Sequence, residues 1–145
     1  MSDEAFRVPL RWRDLDNQNH VYHAEYLTLL DQARTAWLHA NLGIDSADEY
    51  IVARIEVDYV SEIIINSSSI HDSEVPAVDV TFDISRLGSK SITTREVMST
   101  PGGVCVARAV TVLILWDRPT RATREITPEE RELAEQLLTH KEVEV

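Results

Sequence analysis

Apolar and polar residues alternate with a period of two along several stretches of the chain, and this period is typical of strands with one buried face. The first stretch runs from Phe6 to Leu15 and places Phe6, Val8, Leu10 and Trp12 on one side. The same alternation returns in "RIEVDYV" (54–60), "VDVTFDIS" (78–85) and "GSKSITTREVMS" (88–99). These stretches predict half-buried antiparallel strands.

A fifth stretch, Val104 to Trp116, is apolar at both sets of alternating positions and follows the turn signal Pro101-Gly102-Gly103. A strand without a polar face is buried on both sides. We therefore predict a central strand that is covered by a helix on one face and by a partner subunit on the other.

Between the first two strands the period changes to that of a helix. From Ala24 onward the polar residues form a narrow stripe, and Gly43 predicts the helix end. A broad apolar surface fills the rest of this helix: Tyr26, Leu29, Leu30, Ala33, Trp37 and Ala40. One strand, this helix and four further strands predict an α+β fold in which an antiparallel sheet wraps round a long central helix.

A second helix is predicted near the end of the sequence, in "TPEERELAEQLL" (127–138). Thr127 is the expected N-cap, Pro128 takes the first helical position and Glu130 completes a capping box. The fold therefore carries a C-terminal helix beside its sheet.

Composition narrows the class of protein. The chain has 145 residues, of which 43% are hydrophobic and 27% charged, so we expect one globular domain spanning residues 1–145. A net charge of −11 argues against nucleic acid as a partner, since that needs a basic face. The lone Cys105, the absence of a signal-like N-terminus and the lack of any long apolar run predict a cytoplasmic protein without a membrane span.

The stretch "RWRDLDNQNHVYHAEYLTLLDQAR" (11–34) concentrates chemistry where the first strand gives way to the helix. Free amides of roughly Val21 to Ala24 should point out of the helix end with the positive pole of its dipole, where they polarise a carbonyl group. Asp16, a few residues upstream, is placed to act as general base or nucleophile. Aspartate in "DLDNQN" also forms turns and caps, so the residues alone leave its role open.

Histidines in the same stretch raise the question of a metal. His20 and His23 are three residues apart, but no carboxylate or cysteine stands at the spacing of a defined zinc site. We predict no metal and no cofactor.

The same stretch resembles the signature of hotdog-fold acyl-CoA thioesterases of the 4-hydroxybenzoyl-CoA thioesterase family. "VYHAEY" is most similar to the Tol-Pal-associated bacterial branch, and "IEVDYV", "ISRLGSKS" and the apolar last strand follow in the family's order. The resemblance covers nearly the whole chain. It implies a hotdog fold and hydrolysis of an acyl-CoA thioester in a homodimer or homotetramer.

The resemblance also implies roles for individual residues. Asp16 takes the position of the catalytic carboxylate and His23 that of the assisting histidine. The amides around Val21 and Tyr22 take the role of polarising the thioester. Arg34 falls on the family's helix arginine, and we expect it to pair with Asp31, three residues earlier on the same face.

Substrate contacts are implied at three further positions. Lys90 and Ser91 lie where a strand of the partner subunit lines the family's site. Trp12 stands where the similar bacterial branch carries a tyrosine, so that a phenolic hydroxyl is missing, and its indole is expected to wall the acyl pocket or to pack in the core. Asn19 replaces a frequent glycine, but asparagine tolerates the same backbone conformation.

Two other functions are compatible with these residues. One is a hotdog hydratase or dehydratase acting on acyl thioesters, which needs an acid/base pair at the substrate's α and β carbons. The other is a non-catalytic module that binds acyl-CoA or a protein partner. Acyl chain length, and coenzyme A against a carrier protein, are left open.

Overall fold

A computed structural model of the chain describes residues 4–11, 20–45, 47–63 and 76–138. Within these residues two helices are present, α1 (Glu25–Leu42) and α2 (Pro128–Gln136). Six strands form one sheet: β1 (Phe6–Pro9), β2 (Tyr50–Tyr59), β3 (Ala77–Leu87), β4 (Ser91–Ser99), β5 (Cys105–Asp117) and β6 (Ala122–Thr123). The predicted α+β architecture is confirmed.

The named strands pair antiparallel in the order β1-β3-β4-β5-β2, and the two-residue β6 adds to the end of β5. β5 is an interior strand with a neighbour on each side, as its apolar sequence predicts. Helix α1 covers one face of the sheet. The predicted first strand extended to Leu15, whereas β1 ends at Pro9 and residues 12–19 lie outside the described part of the chain.

Helix α1 is held against the sheet by a broad buried face. Leu29, Leu30 and Leu38 are fully buried, and the ring of Trp37 stacks on that of Phe82 in β3 with centroids 5.1 Å apart. Gly43 ends the helix in the left-handed conformation (φ 70°), and its amide bonds back to the carbonyl of His39. Ala40, expected on the buried face, is exposed.

A buried ion pair ties α1 to the middle of the sheet. The Arg34 guanidinium donates from Nε and Nη2 to the two carboxylate oxygens of Glu96 in β4, each at 2.7 Å. Thr94 donates to the same carboxylate at 2.8 Å, and Nη2 of Arg34 also reaches Thr111 at 3.3 Å. The predicted contact with Asp31 is present at 3.3 Å, but Asp31 is exposed and Glu96 is the main partner.

Burial alone lowers the pKa of the Arg34 guanidinium, but the hydrogen bonds and charge of Glu96 outweigh it and raise the pKa. The guanidinium therefore stays charged at every ordinary pH. The pair fixes the position of α1 relative to β4, and with it the start of the helix.

The two edges of the sheet differ. β1 has four residues and ends in proline, which is a poor edge for pairing with another strand. β2 has ten residues, and its apolar side chains Ile51, Val52 and Tyr59 are 43%, 42% and 48% exposed. The single chain thus leaves a long, partly apolar edge uncovered by the described residues.

Candidate active site

The N-terminus of α1 ends in free backbone donors. Ala24 is the N-cap, and its side chain makes no capping bond. The amides of Glu25, Tyr26 and Leu27 donate to carbonyls three residues earlier. Those of Tyr22, His23 and Ala24 donate to no acceptor within the described residues. Three consecutive N–H groups thus remain at the positive pole of the helix.

Val21 differs from its neighbours. Its amide donates to the carbonyl of Ile63 at 3.0 Å, and its side chain is 5% exposed within the core. The Val21 amide is thus engaged within the chain, and its polarising role stays a prediction that would require this bond to break. The amide of Tyr22, the other residue of that prediction, stays available.

The side chain of His23 lies among tyrosine rings at the end of β2. Its ring centroid is 4.5 Å from that of Tyr22 and 6.2 Å from that of Tyr59, which meets it edge-on. The ring of Tyr26 lies 5.1 Å from that of Tyr59. His23 is exposed, and the Tyr22 side chain beside it is 50% exposed. The imidazole therefore remains accessible while aromatic rings restrict its position.

Tyr26 is held by a hydrogen bond across to the segment that follows β2. Its hydroxyl donates to the carbonyl of Ser61 at 3.2 Å, and burial raises the pKa of the phenol, so that it stays protonated. Together with the bond from Val21 to Ile63, this contact fixes the turn before α1 against the end of β2.

A carboxylate begins the helix next to the free amides. Glu25 is its first residue, and the Oε2 atom is shielded from solvent without a hydrogen-bond donor among the described residues. A negative charge is favourable at this end of a helix. The Oε2 atom of Glu25 can thus still accept a hydrogen bond, and the sequence analysis did not identify this residue as part of the site.

Two of the predicted site residues, Asp16 and Trp12, lie outside the described residues. Their roles stay predictions. The amides and the imidazole for which Asp16 would act lie at one end of the sheet, and residue 16 precedes them by only a few positions.

Lys90 and Ser91 lie at the other end of the sheet. Ser91 pairs with Ile114 of β5, whereas Tyr59 beside His23 pairs with Ala107. Seven residues of β5 separate these positions, which is about 23 Å. Lys90 is exposed and its ammonium donates to the hydroxyl of Thr123 at 3.4 Å. Within one chain the structure does not bring Lys90 and Ser91 to His23.

Sequence reasoning also missed Tyr59 and Glu96. The alternation in "RIEVDYV" put Tyr59 on the inward face, but only the pairing of β2 with β5 sets it beside His23. Glu96 occupies an inward position between Thr94 and Met98, and a charged residue at such a position signals a buried partner.

Comparisons with known proteins show what the chain is similar to. Residues 10–137 match the family model of the thioesterase-like superfamily. A thioesterase from Thermus thermophilus, solved with coenzyme A and Zn, is 25% identical over 92% of each chain, with a TM-score of 0.72. No sequence among the curated proteins matches.

Two further solved structures share the fold at lower identity. A predicted thioesterase from Bacillus stearothermophilus is 19% identical, covers 93% of this chain and 96% of its own, and has a TM-score of 0.76. A DHNA-CoA thioesterase from Staphylococcus aureus is 18% identical over 91% of this chain and 88% of its own, with a TM-score of 0.73. The sheet wrapped round α1 is therefore the hotdog fold. Within the described residues, neither helix is long and apolar enough to cross a bilayer.

Proposed function

Because the chain belongs to the thioesterase-like superfamily, we propose that it is an acyl-CoA thioesterase that hydrolyses a small or medium acyl-CoA to the free acid and CoA. The observation that carries the proposal is the row of three free amides at the start of α1 with His23 beside it. The finer assignment, to the 4-hydroxybenzoyl-CoA thioesterase family near its Tol-Pal-associated branch, is part of the proposal and rests on "VYHAEY".

The amides perform the electrostatic part of the reaction. The thioester carbonyl oxygen accepts hydrogen bonds from the amides of Tyr22, His23 and Ala24, and the negative charge that develops on it meets the positive pole of α1. Such donors act without rearrangement because the backbone is already fixed by the contacts of Val21 and Tyr26. One donor of this kind contributes roughly a hundredfold to a thousandfold in rate.

Asp16 supplies the attacking group. Either its carboxylate takes a proton from a water molecule that adds to the carbonyl carbon, or it adds itself and the resulting anhydride is hydrolysed. In both routes the carbon–sulfur bond breaks and its electrons leave with the thiolate. His23 assists by passing a proton to the thiolate, which gives the thiol of CoA, and the imidazole regains this proton from the water that is consumed.

The proposal requires a second copy of the chain. If β2 pairs antiparallel with β2 of another copy across a two-fold axis, its Tyr59 end lies beside the Tyr50 end of the partner. Lys90 and Ser91 lie at the Tyr50 end of the sheet. The pairing therefore brings these residues of one copy toward the start of α1 in the other copy, whereas within one chain they lie about 23 Å from it. The exposed apolar residues of β2 support this pairing.

Trp12 completes the wall of the acyl pocket in the cytoplasmic homodimer.

A panel of acyl-CoA esters with colorimetric detection of the thiol tests the function. We expect thiol release by the wild type, and for Asp16→Asn a loss of most of the rate with ligand affinity retained. Asp45→Asn is the matched control, because it neutralises an exposed carboxylate at the opposite end of α1. Enoyl hydration without thiol release indicates a hydratase. Ligand binding with no turnover by the wild type indicates a binding module, and either result contradicts the proposal.

A further inference from the structure

Two β-bulges turn two arginines to the face of the sheet that points away from α1. The register shifts between Val52 and Arg54 in β2, and between Ile84 and Arg86 in β3. Val52 lies opposite the fully buried Leu113, and Ile84 is itself fully buried, so strict alternation would turn both arginines inward. The extra residue in each strand turns them outward instead, which is a common use of bulges beside functional sites.

The two arginines lie at opposite ends of one row across the sheet. Arg54 in β2 lies opposite Val112 in β5. Val112 lies opposite Thr93 in β4, and Thr93 lies opposite Arg86 in β3. Three strand spacings separate the ends of the row by about 14 Å. Because arginine side chains are long, both guanidinium groups can reach a small ligand that lies between them.

A groove of about 510 Å³ runs along this row, which is the size of a site for a small molecule. Its middle is apolar, and cationic and hydroxyl side chains surround that part. The groove is lined by Arg54, Glu56, Ser85, Arg86, Thr93, Arg95, Val110 and Val112.

The lining of the groove is positive although the protein is acidic. Three lining residues are arginines and only Glu56 is a carboxylate, whereas the whole chain carries −11. Arg86 makes no hydrogen bond or ion pair with another described residue. The pair of Arg54 with Glu56, at 2.8 Å, is exposed and contributes little, so Arg54 can exchange it for a ligand. Arg95 is held by Asp83 at 3.1 Å. Two guanidinium groups are thus available to an anion.

We propose that this groove binds a phosphate group, either as the free ion or as the monoester of a small apolar molecule. A guanidinium matches two oxygen atoms of a phosphate, and two arginines match its nearly two negative charges at neutral pH. The hydroxyl of Thr93, between the arginines in the row, donates to a third oxygen. Val110 and Val112 contact the organic part of an ester. The site lies on the opposite face of the sheet from α1, and the inference is independent of the proposed hydrolysis.

Isothermal titration calorimetry of the full chain, in phosphate-free buffer at low salt, tests the proposal with three probes. Phenyl phosphate should bind, and benzenesulfonate, which has the same ring but one charge, should bind about tenfold more weakly or worse. Inorganic phosphate separates the two sources of the group. If it binds as tightly as phenyl phosphate, the ligand is the free ion, whereas weaker binding assigns the groove to an ester.

Three variants locate the binding. Arg86→Gln should weaken phenyl phosphate by about tenfold or more, because it removes a charged donor. Glu56→Gln should strengthen it, because the substitution releases Arg54 and removes a repulsive charge. Arg121→Gln is the matched control, since Arg121 is exposed in the turn before β6, lies outside the groove and makes no ion pair with another described residue. It changes the net charge equally and should leave the affinity unchanged.

Three results overturn the phosphate site. They are a wild type that binds neither phosphate probe, an Arg86→Gln variant with full affinity, and an equal loss in Arg86→Gln and Arg121→Gln, which indicates general attraction only. The thiol assay is a separate measurement, so each of these results leaves the proposed hydrolysis standing.

Discussion

Removal of the negative partner of the buried ion pair is the sharpest test of how α1 is held. Glu96→Leu leaves the Arg34 guanidinium 2% exposed in the core without its carboxylate. The variant also removes the carboxylate that raised the pKa of Arg34, but a guanidinium keeps its proton in proteins and therefore remains a buried charge. Breaking a buried pair in this way costs about 3 to 5 kcal/mol. Asp31 remains at 3.3 Å as a partial partner, so we expect the lower half of that range.

This loss of unfolding free energy is large enough to measure by thermal and by urea denaturation. With an unfolding entropy of about 2.1 cal/mol/K per residue over the 145-residue chain, about 3 to 4 kcal/mol lowers the Tm by roughly 10 to 13 °C. Protein concentration must be equal in all samples, because association raises the apparent stability. Urea unfolding should give a lower midpoint with an unchanged slope.

Two comparison variants separate the ion pair from simple loss of packing. Arg34→Met together with Glu96→Leu replaces both charges with apolar groups, and its stability should return to within about 1 kcal/mol of the wild type or exceed it. Asp79→Asn breaks the exposed pair with Arg7 and should cost less than about 1 kcal/mol. The reasoning is refuted if the double variant is as unstable as Glu96→Leu, or if Glu96→Leu costs no more than Asp79→Asn.

Two further predictions concern the helix ends. Ala24→Pro removes one free amide, and the φ of Ala24 (−67°) is one that proline adopts. Thiol release should therefore fall at least tenfold with little change in Tm. An unchanged rate would show that this amide does not polarise the substrate. At the start of α2, burial raises the pKa of Glu130, but its hydrogen bonds to Arg124 and Thr127 outweigh this and leave the pKa below its usual 4.5. This depressed pKa stabilises the fold above about pH 4.5, and the contribution is lost as pH falls through the folded value. Glu130→Gln should therefore be less stable than the wild type by about 1 kcal/mol at pH 7 and equal to it near pH 3, in urea titrations at each pH. A difference that is the same at every pH rules out a charge effect.

The elements that depend on local sequence were predictable. The apolar surface of α1, its end at Gly43 and the capping box of Thr127 and Glu130 all follow from residues within four positions of one another, and each is present. The interior position of β5 followed from its two apolar faces.

The site was predictable only where it is local. Free amides before α1 follow from the helix itself, but the engagement of Val21 depends on Ile63, more than forty positions later. Tyr59 meets His23 through the pairing of β2, and Lys90 is distant from His23 for the same reason. Alternation assigns a face to a strand residue and says nothing of its neighbouring strand, so these relations required the three-dimensional structure.

The edge of β2, which the described residues leave uncovered, affects the chain before it associates with a second copy. A newly made chain exposes ten residues of backbone donors and acceptors until a copy arrives, and during that interval any extended segment can pair there. Arg54, Glu56 and Asp58 occupy every second position of β2, so an apolar strand that pairs there must place its side chains beside charged ones on one face of the sheet. A second copy that pairs with β2 removes this exposed edge, so association also keeps other strands from pairing there.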